Sequence, residues 1–79
     1  MIGRLRSKSA REWAQALERD GFAIRKGKGS HHVYQHPDGR RVLVVYHNLG
    51  DTFGPKTIKQ LLSGTGWREE DLKRLKLLV

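Results

Sequence analysis

Apolar and polar positions alternate with a helical spacing, then a strand spacing, then a helical spacing again. Ser9-Ala10-Arg11-Glu12 reads as a capping box, in which the serine hydroxyl takes the Glu12 amide and the glutamate reaches back. Trp13, Ala14, Ala16 and Leu17 then form an apolar stripe, which predicts a helix over about 10–19 closed by Asp20-Gly21. Phe22 to Lys26 alternates as a half-buried strand, and Gly27-Lys28-Gly29 reads as a turn. His31 to His36 is the second strand, Pro37-Asp38-Gly39 a tight connection, and the β-branched run Arg40 to Val45 the third strand. Tyr46 to Gly54 reads as a loop. Pro55 suits a first helical position, Ile58, Leu61 and Leu62 give that helix an apolar face, and Gly64 is expected to stop it. A last helix is expected after Trp67. Glu69, Glu70 and Asp71 complement its positive end, and Leu72, Leu75 and Leu78 pack it down. The class is α+β, in the order α-β-β-β-α, with a three-stranded antiparallel sheet, helices on one face and a short extra C-terminal helix.

Pairing His36 with Arg40 across the turn sets a register. Tyr34 then opposes Val42, His32 opposes Val44, Val33 opposes Leu43 and His31 opposes Val45. Tyr34, Val42 and Val44, joined by Phe22 and Ile24, suit the face under the helices. His31 falls on the open face, with His47 diagonally across at roughly 7–8 Å if the strand persists. A β-bulge in either strand would reverse that assignment.

Composition narrows the class. The 79 residues allow one domain with a small core. A helical tail is expected over 68–79. There is no cysteine, which fits a reducing compartment, and neither a signal peptide nor a membrane-length apolar run stands out, so a cytoplasmic location without membrane contact is expected. Sixteen Lys and Arg against eight Asp and Glu give a net charge of +8. A domain so basic favours a polyanion, with nucleic acid first; an acidic protein partner is compatible with that.

Candidate chemistry gathers in Lys26-Gly27-Lys28-Gly29-Ser30-His31-His32. Glycines let backbone amides approach an anion, lysines supply charge, and histidine exchanges protons near neutral pH. Metal binding is disfavoured, because His31 and His32 diverge as strand neighbours and no carboxylate has ligand-like spacing from them. His36, beside the turn, reads as a surface or satisfied group, and His32 as structural. A Ser30–His31 nucleophile pair is disfavoured by the same divergence; Ser30 suits a hydrogen bond to the turn or to a phosphate. Metal-free RNA cleavage needs a base for the 2′-hydroxyl and an acid for the leaving oxygen, and histidine serves either. Arg25, Lys26, Lys28 and the Gly29 amide are placed to steady the phosphate. Trp13 and Trp67 read as core anchors.

These residues resemble a known family. Gly29-Ser30-His31-His32-Val33-Tyr34, then His36-Pro37-Asp38-Gly39-Arg40-Arg41-Val42, then Val42-Leu43-Val44 with His47, Lys56-Thr57-Ile58 and Gly64-Thr65-Gly66, are similar to the HicA (YcfA-like) toxins over roughly 7–68. The resemblance implies a fold like double-stranded-RNA-binding domains and a type II toxin–antitoxin toxin. It implies an endoribonuclease that cleaves mRNA without a metal or cofactor, neutralised by a HicB-like antitoxin. The catalytic histidine of the family falls on His31, with His32 as the alternative and His47 as an assisting group. Lys28, Gly29 and Ser30 would place the phosphate, and Arg25, Lys26, Arg40 and Arg41 would attract the RNA backbone. Val45 stands where the family often has proline, and Trp67 where it usually has an aliphatic residue. The rival reading is a non-catalytic basic RNA-binding module.

Overall fold

A computed structural model describes residues 2–78, apart from the side chains of Ile2 and Lys26. After a single helical turn, α1 (Ile2–Leu5), come α2 (Ala10–Arg19), β1 (Ala23–Lys28), β2 (His31–Gln35), β3 (Arg41–Val45), α3 (Pro55–Thr65) and α4 (Glu69–Arg74). The strands form one antiparallel sheet in the order β1-β2-β3.

Both halves of the capping box at α2 are formed: the Glu12 amide donates to Ser9 Oγ at 3.3 Å and the Ser9 amide to Glu12 Oε1 at 3.1 Å. The next donors of this helix end are satisfied from far along the chain. The Ala10 amide donates to the Asp51 carbonyl at 2.7 Å and the Arg11 amide to the Leu49 carbonyl at 3.0 Å. The 46–54 loop thereby serves as a second cap of α2, and it sends Phe53 into the core against Trp13.

The register expected between the second and third strands holds throughout, from His31↔Val45 to Tyr34↔Val42. Along β3 the residues alternate, with Val42 and Val44 buried and Arg41, Leu43 and Val45 exposed, so one sheet face carries the helices and the other is open.

Five features differ from expectation. β1 continues through Gly27 and Lys28, which the sequence suggested as a turn, so the loop is only Gly29-Ser30. A bulge at Arg25 lies between Ile24 and Lys26. Ile24 pairs with Tyr34 and so shares the helix-side face, yet it is 52% exposed, because β1 is an edge strand that the helices do not cover. Gly64 does not stop α3. It lies inside the helix where a side chain would run into Val42, and the stop is Gly66 in the left-handed conformation at φ 73°. The N-terminal turn α1 was not foreseen, because Ile2 and Leu5 are too few to show a period.

The core is built around Trp13, stacked at 6.3 Å on Trp67, with Leu17, Ile58, Leu61 and Phe22 about it. Leu72, Leu75, Leu77 and Leu78 from the C-terminal segment and Leu5 from α1 are buried in the same cluster.

Candidate functional site

The Gly29-Ser30 loop joins Lys28 to His31, which pair directly. Gly29 has φ 61°, while no positive φ occurs at Ser30, the pattern of a two-residue hairpin with glycine at its first central position. Open space stands where a Gly29 side chain would project, so the glycine is required by conformation and its backbone is open to approach on that side. The Ser30 carbonyl accepts from the Tyr46 amide at 3.0 Å, tying the turn to the end of β3.

His31 is therefore held between two strand neighbours. Lys28 pairs with it on one side and Val45 on the other, so three side chains leave the open face in a row. Directly opposed residues have Cβ atoms about 4.5–5.5 Å apart. All three are exposed, and the His31 ring makes no hydrogen bond among the described residues. No carboxylate ion-pairs with Lys28 at this turn among the described residues, nor with Arg25, which lines a shallow cleft with Gln35, His36 and Gly39, or Arg41 further along the sheet.

The other histidines differ. His32 points to the helix-side face, where its ring stacks on Tyr46 at 3.9 Å and its Nδ1 lies 3.3 Å from the Val44 carbonyl. That carbonyl only accepts, so Nδ1 carries the hydrogen. The Tyr46 hydroxyl in turn lies 3.5 Å from that of Tyr34, whose phenol burial pushes above its ordinary range. His36 bridges two segments. Nε2 donates to the Asp20 carbonyl at 2.7 Å and Nδ1 accepts from the Asp38 amide at 3.1 Å, which fixes a neutral tautomer. The Asp38 carboxylate is also 3.0 Å from Nδ1, but an ion pair there would require a proton on Nδ1, at the expense of the amide bond. His47 lies beyond the end of β3, in a turn where the Asp51 carboxylate takes the amides of Asn48 and His47 at 3.0 and 2.9 Å. Those two bonds hold the Asp51 carboxyl below its ordinary value.

The expected site residues separate into groups. Lys28, Gly29, Ser30 and His31 come together at one end of the sheet, with Arg25 at the bulge. Lys26 pairs with Val33, and its side chain lies outside the described residues. Arg41 shares the open face but sits opposite Gln35, four residues along β2 from His31, a span of about 13 Å. Arg40 is elsewhere altogether. Its guanidinium contacts Asp38 at 2.8 Å, Asp20 at 3.1 Å and the Thr65 carbonyl, and it lies 4.9 Å over the Phe22 ring. This arginine joins the hairpin to α3 and stands apart from the His31 group. No three side chains of His, Cys, Asp or Glu gather around a common point among the described residues.

One charged centre was missed by sequence reasoning. Asp20 receives Trp67 Nε1 at 2.9 Å, Arg74 at 3.0 Å and Arg40 at 3.1 Å. Burial alone would raise its carboxyl, but the hydrogen bonds from Trp67 and Arg74 and the charge of Arg40 outweigh this and hold it below the ordinary value. The sequence signal was the tryptophan at a usually aliphatic position, since its indole N–H needs an acceptor.

The model of the family described as "HicA toxin of bacterial toxin-antitoxin" matches residues 10–67 of the 79. No significant match to a curated protein is found. The chain belongs to the HicA toxin family, and is thus a toxin that pairs with an antitoxin. Trp67 is the last matched residue, so the partners Trp67 and Asp20 lie within the family region while Arg74 is added by the segment beyond it. No described helix is long and apolar enough to cross a membrane.

Proposed function

We propose that this toxin is a metal-independent endoribonuclease that cleaves mRNA in the cytoplasm, with His31 exchanging a proton with the substrate. The observation that carries the reading is the contrast among imidazoles. Among the described residues His31 is exposed and unbonded beside an unpaired lysine and a glycine turn, whereas the rings of His32 and His36 are held by neighbours.

In the reaction, a base removes the proton of the ribose 2′-hydroxyl. The freed oxygen forms a bond to phosphorus and the 5′-oxygen departs, taking a proton from an acid. This leaves a cyclic phosphate and a 5′-hydroxyl and consumes no cofactor. His31 fills one of the two proton roles. His47, past the end of the neighbouring strand, is the assisting group, and His32 is the alternative should position 31 prove dispensable. Lys28 with the backbone of Gly29 and Ser30 receives the phosphate, and its developing charge is met by donors already in place. Arg25, Lys26 and Arg41 draw the RNA backbone toward the open face. Neutralisation by a HicB-like antitoxin requires that protein to block access to this group.

The test is purified protein incubated with end-labelled single-stranded RNA in excess chelator. Wild type should cut, and His31→Ala should lose about 10²–10⁴-fold of the rate while keeping its thermal transition. Cleavage at the wild-type rate by His31→Ala would overturn the assignment. Binding without cleavage by wild type would favour the non-catalytic module, and dependence on added metal would restore metal chemistry.

A further inference from the structure

The two free edges of the sheet are built differently. β1 is interrupted by the bulge at Arg25 and has no side chain at Gly27, with exposed Arg25 and Lys28 along it. Bulges and exposed cations are ordinary means of discouraging an edge from pairing with another chain. β3 carries neither defence over its central part. Its pairing to β2 is unbroken from Arg41 to Val45. Since the Tyr46 amide bonds back to Ser30, the alternation of an antiparallel ladder turns the N–H and C=O groups of Val42 and Val44 toward β2. Those of Arg41, Leu43 and Val45 are turned outward, and no backbone hydrogen bond in a turn or loop takes them among the described residues. The edge opens on a groove lined by Arg41, Leu43, Val45, Thr57, Gln60 and Gly64. The α3 wall of that groove, Thr57, Gln60 and Gly64, is uncharged, and Leu43 and Val45 are 54% and 42% exposed.

We propose that the edge of β3 is the docking site for an extended strand of the acidic antitoxin, added as a fourth strand against Arg41–Val45. The proposal rests on the toxin–antitoxin pairing of this family and deepens it by assigning the surface and the mode of contact. Main-chain bonds to the outward groups of Leu43 and Val45 supply affinity, and alternate side chains supply specificity. Apolar residues of the incoming strand lie beside Leu43 and Val45 on the open face, and a carboxylate answers Arg41. Charge selects this occupant over a second copy of the chain. Each copy carries +8, and antiparallel pairing of two β3 edges about Leu43 would bring these cationic domains together with no carboxylate on either β3. The added strand lies beside Val45, next to His31, which explains how docking obstructs the proposed RNA site.

The test is amide hydrogen exchange of the full chain, alone and with the protein encoded in the adjacent reading frame. Leu43 and Val45 amides should exchange quickly in the free chain and slow by at least about tenfold in the complex, while Val42 and Val44 are slow in both. Leu43→Glu should weaken the complex about tenfold or more without moving the thermal transition by more than a few degrees. Unchanged Leu43 and Val45 exchange in the complex, or failure to form a complex, overturns the proposal. A free chain that sediments as a dimer with both amides protected overturns it in favour of self-pairing. His31→Ala should form the same complex with the same protection. The docking result therefore stands or falls independently of RNA cleavage.

Discussion

The sheet carries two glycine turns, each beside a histidine and a cation, and they serve opposite purposes. At one end stand Lys28, Gly29 and His31; at the other, His36, Gly39 and Arg40. Both glycines have positive φ, 61° and 100°. At the His36 end the histidine and its cation both have partners: Asp20 and Asp38 neutralise Arg40, and the Asp20 carbonyl and Asp38 amide hold both ring nitrogens of His36. At the His31 end no carboxylate is paired with Lys28 among the described residues, and the ring is left open to solvent. The residue types are nearly the same. Acidic partners make the His36–Arg40 pair a brace, and their absence leaves Lys28 with a free charge, which the proposed function uses to receive phosphate.

The sharpest way to break this contrast is to exchange the lesions. Beside the rate lost in His31→Ala, His36→Ala should retain wild-type cleavage per folded molecule and lose roughly 1–2 kcal/mol of stability, through its bonds to Asp20 and Asp38. Thermal melts and RNA cleavage measured on both variants check this, and matching phenotypes would erase the distinction.

Asp20→Ala comes next. Its side chain is 11% exposed and receives Trp67, Arg40 and Arg74, so removal leaves a buried indole N–H without an acceptor and uncouples the C-terminal segment. The expected cost is about 3 kcal/mol, read as a fall in melting temperature of roughly 10 °C or more. A cost under about 1 kcal/mol would show that the ion pairs there are ornamental.

The same group predicts an acid limit. The folded Asp20 carboxyl lies below its ordinary value, so its contribution is fully present above the unfolded value near 4 and is lost as pH falls through the folded one. Melting temperatures recorded from pH 6 down to about 2 should fall below about pH 4, and the fall should be shallower in Asp20→Ala, where this group no longer titrates.

The smallest effects concern single cations. Lys28→Ala should weaken RNA binding severalfold and reduce the salt slope by about 0.7, the increment for one phosphate contact on a single strand. Arg40→Ala should leave the slope unchanged and lower stability, because its charge is already met by Asp20 and Asp38. Equal slopes for the two variants would contradict the difference between the ends.

Much of the fold was legible because its signals are local. The capping box at Ser9 and Glu12, the alternation of Arg41 to Val45 and the Pro37–Gly39 turn each need only a few neighbouring residues, and together they set the β2–β3 register. Gly64 was misread for the same reason. A glycine near a helix end looks like a stop, and only the position of Val42 across the interface shows that it is there for closeness. Ile24 matched the apolar period, but whether helices cover β1 depends on where they lie across the sheet.

For the candidate site, sequence by itself determined the Gly29-Ser30-His31 order, the side of the strand on which His31 stands and the excess of positive charge. Tertiary structure alone decided which cations remain free. Arg40 and Lys28 are indistinguishable as neighbours of a turn, but Asp20 arrives beside Arg40 from the end of α2 and Thr65 from the end of α3, contacts separated from it by 20 and 25 residues. An ion pair depends on distance in space, and that distance is set when the chain folds.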